Sequence, residues 1–168
     1  MRAVAIPVLT SLIALAAPRV ASGQAPRSSS DSAAVLGVVA RFFDGMLRHD
    51  TTALRATLLP GAQFVVFVAG GAPGAPRRQT DSAFLASIAG RTTQRLYERL
   101  WTPAVLVHDG IATVWAPYDF HIDGAFSHCG IDSFNFVRTA TGWQIAGIMY
   151  TVERTGCAPS PLGPPPPT

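Results

Sequence analysis

From Ser32 to His49 the apolar positions Val35, Val38, Val39, Phe42, Met46 and Leu47 recur at intervals of three and four. That spacing puts one stripe on one side of a helix, with Asp31 or Ser32 available to cap its first turn. Asp50 is placed to cap a second, short helix whose Leu54 and Leu58 share a face and which Pro60 ends. "AQFVVFVAGG" then reads as a strand, and "GGAPGAPRRQ" as a Gly/Pro loop. Thr80 or Asp81 caps a third helix, with Phe84, Leu85 and Ile88 inward and Gly90 as its stop. Beyond Thr92 the pattern changes to strands, "QRLYERLWTPAVLVHDG", "IATVWAPYDFHIDG", "AFSHCGIDSFNFVRTATG" and "WQIAGIMYTVER". Asp109-Gly110 and Asp123-Gly124 are two-residue hairpin turns, and "TATG" marks a third. Helices followed by a meander of strands define an α+β domain in which helices cover one side of a curved antiparallel sheet.

The two ends of the chain read differently. Met1 and Arg2, the apolar run Ala3 to Ala17 and the small residues Ala21 and Gly23 have the form of a secretion signal over residues 1–23, too short to span a bilayer comfortably. Export to the periplasm or the exterior is the expectation, with no membrane attachment after cleavage. Residues 24–31 are expected to form a flexible leader, 32–156 the folded domain, and 157–168, rich in proline, a disordered tail.

Charge changes this picture little. All 13 basic residues are arginine, two of them, Arg2 and Arg19, in the signal segment, against 10 acids. A balance so close to neutral gives nucleic-acid binding no support, and the absence of lysine fits a GC-rich coding bias as well as any function. No cofactor motif is present, and no third ligand stands at metal spacing from His121 and His128.

The chemistry-bearing residues concentrate in "YDFHIDGAFSHCGID", Tyr118 to Asp132. With Asp123-Gly124 as a tight turn, counting back places Asp119 opposite His128, Pro117 opposite Gly130 and Trp115 opposite Asp132. Opposed side chains stand about 5 Å apart, so Asp119 and His128 form a candidate dyad, the carboxylate orienting the ring and leaving its other nitrogen as a general base. A cross-strand Asp/His pair on a half-exposed sheet satisfies itself equally well without any chemistry. Pro117 lacks a ladder donor, so a bulge there would swap the faces. The interior is expected to take Trp101, Trp115, Tyr118 and Phe134 as an aromatic pocket around Asp119, His128 and Asp132. Glu98 and His121 are expected to form a surface ion pair. Cys129 and Cys157 are the only cysteines, and in an exported chain both a disulfide and two free thiols stay open.

The order of elements, "VARFFDGMLRHDTTALRATLLPGAQF" and "WAPYDFHIDGAFSHCGIDSFNFVRTATGWQI" resemble the nuclear transport factor 2-like superfamily, in the branch of small bacterial proteins called SnoaL-like or lumazine-binding-like. The resemblance spans about Val35 to Arg154. It implies a cone-shaped curved sheet with three N-terminal helices on one side and a homodimer. For function it implies a pocket for a small hydrophobic ligand, or a dehydratase, isomerase or cyclase with His128 as base, Asp119 as orienter and Asp132 or Tyr118 as proton donor. A third reading is a dimerisation module without ligand.

Overall fold

The computed structural model describes residues 27–70 and 76–166; the expected signal segment, most of the leader and the centre of the Gly/Pro loop lie outside them. Its elements run α1 (Arg27–Leu47), α2 (Thr51–Thr57), β1 (Leu58–Val68), β2 (Arg77–Thr80), α3 (Asp81–Ala89), β3 (Leu96–Leu100), β4 (Ala104–His108), β5 (Ile111–Ile122), β6 (Ala125–Thr139) and β7 (Gly142–Val152).

Helix α1 buries the expected stripe, Val35, Val38, Val39, Phe42 and Met46. It begins ahead of the expected cap, so Arg27 to Asp31 belong to the helix rather than to a leader, and Asp31 is ion-paired with Arg138 on β6. Asp50 caps α2 as expected, its carboxylate accepting from the backbone N–H of Thr52 and Ala53 at 3.1 and 2.9 Å. The helix ends at Thr57, earlier than Pro60: Leu58 is already extended and Pro60 lies inside β1. Thr80 caps α3 through Ala83 N–H at 3.2 Å. The Gly/Pro loop yields one strand that its composition hid, β2, held along β1 from Gln63–Thr80 to Val66–Arg77.

The seven strands form one curved, unclosed sheet in the order β2-β1-β7-β6-β5-β3, with β4 also pairing β5. The sheet is not wholly antiparallel, because β1 runs parallel to β7. That pairing is open to it because the whole meander separates the two strands in sequence, enough chain for a crossover. The run expected as one strand from Gln94 breaks at Trp101–Pro103 into β3 and β4. Pro117 sits opposite the break, where β5 changes neighbours; its carbonyl accepts from Trp101 N–H at 3.2 Å, and its missing donor costs nothing.

Three helices close one side of the sheet, and the core lies between. Phe64 and Phe84 stack at 4.3 Å between centroids, and Phe42 stacks on Phe84 at 5.4 Å. Burial of such rings is the main stabilising contribution of this layer, about 25 cal/mol for each Å² of apolar surface removed from water.

Candidate functional site

The hairpin register decides which side chains share the interior. Ile122 pairs with Ala125 as counted, and Asp123 and Gly124 take the positive φ values of 53° and 80° that the turn needs. One step further the ladder shifts: His121 pairs with Phe126, but Phe120 pairs with His128, leaving Ser127 as an extra residue. A one-residue shift sends every later side chain of β6 to the other face relative to β5. Asp119 therefore faces Cys129, Pro117 faces Ile131 and Trp115 faces Ser133. The Asp119–His128 dyad is not formed, and the bulge is opposite Phe120, not at Pro117.

Instead, one cross-sheet set points inward: Glu98 on β3, Tyr118 and Phe120 on β5, His128, Asp132 and Phe134 on β6, Ile148 and Tyr150 on β7, Phe64 and Val66 on β1. Together with Phe42 and Met46 of α1 and Phe84 and Ile88 of α3, they line a cavity of about 550 Å³. Four arginines, Arg77, Arg78, Arg91 and Arg154, stand around it.

Within the cavity two carboxyl groups meet. Asp132 is 2% exposed and its Oδ2 has no hydrogen-bond partner, while Glu98 is half-buried and interacts with it directly. Burial pushes Asp132 up to about 7. Burial, then the neighbouring carboxyl, holds Glu98 well above the ordinary range. The expected surface ion pair of Glu98 and His121 does not exist, because Tyr97 occupies the position opposite His121. The pattern contained a signal for Glu98: it shares its parity with Leu96, which is buried, and with Leu100, which packs against the core.

Tyr118 is buried, donates to the carbonyl of Thr151 at 2.7 Å, and is raised by desolvation first and then by the carboxyl groups. Tyr150 is pushed up to about 12, again mainly by burial. His128 is lowered to about 4 by burial and by Arg154, so its ring is a neutral imidazole at pH 7. Its Nδ1 lies 3.0 Å from Ser127 Oγ, and the ring packs on Tyr118 and Phe120 at 5.7 and 5.1 Å between centroids. Of the expected aromatic set, Tyr118 and Phe134 line the cavity, whereas Trp115 is 54% exposed on the outer face and Trp101 lies beside a different groove.

That groove, of about 310 Å³, holds Asp119. Arg99 grips the carboxylate through Nε and Nη2 at 2.8 and 2.6 Å, and His121 Nδ1 lies 3.8 Å away. Burial lowers His121. Cys129 and Cys157 are bonded, with Cα atoms 6.1 Å apart. The bond folds the expected disordered tail back over the groove, where the carbonyl of Gly163 accepts from Arg99 at 2.8 Å. The described part of the tail, to Pro166, is thus not free of the domain. Among the described residues no group of three or more acidic, histidine or cysteine side chains is placed to hold a metal.

No family model matches the chain, and no curated protein matches it. Solved structures do. A nuclear transport factor 2-like protein with a cystatin-like fold from Novosphingobium aromaticivorans superposes with a TM-score of 0.61 at 18% identity, over 79% of this chain and 87% of that one. A superfamily protein from Salmonella enterica serovar Typhimurium gives 0.61 at 17%, over 78% and 96%. A protein described as a candidate dehydratase of the same family, from Streptomyces avermitilis, gives 0.60 at 18%, over 74% and 97%. At these identities the likeness is one of fold, and the chain has the nuclear transport factor 2-like fold.

Proposed function

We propose that this protein is an exported binding domain for a small, largely apolar molecule carrying a carbonyl or hydroxyl group. The carrying observation is the acid pair at the cavity wall: Asp132, buried and with Oδ2 unpartnered, beside Glu98. Two adjacent carboxyl groups in a low-dielectric pocket retain a proton at neutral pH, because a second negative charge costs too much. A retained proton makes the pair a hydrogen-bond donor as well as an acceptor, and the stacked phenylalanines supply the apolar walls. The neutral His128 and buried Tyr118 add polar atoms without adding charge.

The same pair favours one enzymatic reading. A carboxyl titrating at about 7 gives and takes protons near physiological pH, as a dehydratase, isomerase or cyclase requires. In that reading Asp132 and Glu98 carry the proton; Asp119, on the other face, has no part.

Homodimerisation belongs to the proposal. The outer face of the sheet exposes Trp115, Met149 and Phe67, 54%, 51% and 57% accessible, and a second copy would cover them.

Titration with 2-naphthol, a neutral ring carrying one hydroxyl, tests the cavity. Binding is expected for the wild type, and weakening of about tenfold for Asp132→Leu combined with Glu98→Leu, which removes both donor and acceptor, the worth of one hydrogen bond to a buried partner. Equal affinity in the double variant would remove the acid pair from the site.

A further inference from the structure

The cavity is electrically lopsided, and the asymmetry follows the strand register. One row of directly opposed residues crosses the inner face: Arg77 on β2, Val66 on β1, Tyr150 on β7, Asp132 on β6. Three strand spacings, about 14 Å of sheet, therefore separate an arginine at the edge from the acid pair, with apolar and aromatic surface between. Arg91, just beyond α3, and Arg154, just beyond β7, line the same cavity. The three cations act on what lies inside: Arg77 and Arg91 bear on the Tyr150 hydroxyl, and Arg154 on His128. Among the described residues none of the three is in an ion pair, although Arg48, Arg99 and Arg138 each have a carboxylate.

Resting on the binding reading above, we propose that the ligand is an amphiphilic organic anion, with an apolar ring system between a carboxylate or sulfonate at Arg77, Arg91 and Arg154 and an oxygen function at Asp132 and Glu98. Solvated arginines attract such a group modestly each, but three lining one cavity add, and each guanidinium offers paired donors to a two- or three-oxygen head. A neutral ligand would leave them without a counter-charge. A dianion reaching the floor would meet the acid pair and be repelled, which restricts the charge to one end.

Two dyes of identical ring skeleton isolate the anion: 8-anilinonaphthalene-1-sulfonate and N-phenyl-1-naphthylamine, which lacks only the sulfonate. With the full chain at low salt, the sulfonate dye is expected to bind about tenfold more tightly, the sum of three partly screened contacts. The preference should shrink as salt is raised and vanish in Arg77→Gln/Arg91→Gln/Arg154→Gln, whose far-UV circular dichroism should match the wild type. Equal affinities for the two dyes, or a preference unchanged in the triple variant, would overturn the anion assignment and leave the cavity reading intact. If neither dye binds, the cavity reading itself fails and this inference with it. Loss of the preference in Trp115→Ala but not in the arginine variant would place the dye on the outer face and equally overturn it.

Discussion

Glu98 and Asp132 reach each other inside the cone from strands that are not neighbours, with β5 running between β3 and β6. Both are acids whose folded state holds a proton longer than the unfolded chain does. For such a group the folded protein binds more protons between the ordinary value and the raised one, so stability falls as pH rises through that window. For Asp132 the window runs from 3.8 to about 7. His128 acts in the opposite sense: lowered from 6.5 to about 4, it binds fewer protons when folded, and stability falls as pH drops through that window. Asp132→Asn should therefore gain stability relative to wild type at pH 8 and lose that advantage at pH 4, with a limiting slope of about 1.4 kcal/mol per pH unit for one proton. Urea denaturation from pH 4 to 8 measures it; parallel curves for the two proteins would contradict the pair.

Asp119 provides the complementary prediction. Its side chain and that of Arg99 are 6% and 10% exposed, so Asp119→Ala leaves a guanidinium buried without its carboxylate, at a cost of about 3–5 kcal/mol. Because the groove lies on the outer face, affinity of the cavity for 2-naphthol should stay within about twofold of wild type. Thermal denaturation and dye titration together check this; a stable variant that has lost binding would return Asp119 to the site.

The elements and the fold were legible because their signals are local and repeated. The stripe of α1, the Asp50 and Thr80 caps and the Asp-Gly turns each state their own structure. The candidate site was not, because it depends on parity. Ser127 carries no mark of the bulge it makes, being neither glycine nor proline, and this one residue moves Asp119 and His128 to opposite faces. Asp132 and Tyr118 stand out in the sequence as chemically apt, but the same turn counting sets Glu98 opposite His121 and so points it to the surface. Its true setting depends on β3 lying beside β5 and on curvature bringing β6 within reach, neither of which leaves a local trace.

Gly130 tests the wall of the cavity. A Cβ there would lie 2.2 Å from the carbonyl oxygen of Thr151, the same oxygen that accepts from Tyr118. Backbone cannot yield as a flexible side chain does, so Gly130→Ala must push β6 and β7 apart and break the tyrosine contact. The expected loss is about 1–3 kcal/mol, with weakened 2-naphthol binding. Unchanged melting would mean that the strands tolerate the wider spacing.

The outer face gives a prediction about assembly. Trp115 and Met149 both stand opposite Ser133, one from each neighbouring strand, so a charge placed at Trp115 falls in the middle of the exposed apolar face. Sedimentation equilibrium should give twice the chain mass for the wild type and one chain for Trp115→Glu, with the fold intact, because the residue lies exposed outside the buried core. A monomeric wild type would leave the face to some other role.

Cys157 governs the tail. The bond to Cys129 closes a loop of 28 residues, and constraining the unfolded chain by such a loop contributes about 3.6 kcal/mol. It also holds the Gly163 carbonyl against Arg99, over the outer groove rather than the cavity. Cys157→Ser should therefore lower the unfolding free energy by that amount, with a correspondingly lower denaturation midpoint, and expose the tail to proteolysis after Glu153, while leaving the affinity for 2-naphthol unchanged. Adding dithiothreitol to the wild type should reproduce the variant's midpoint, and a thiol assay on the native oxidised protein should find neither cysteine reactive. If reduction instead altered ligand affinity, the strap and the cavity would be coupled, and the separation of the two faces on which these assignments rest would fail.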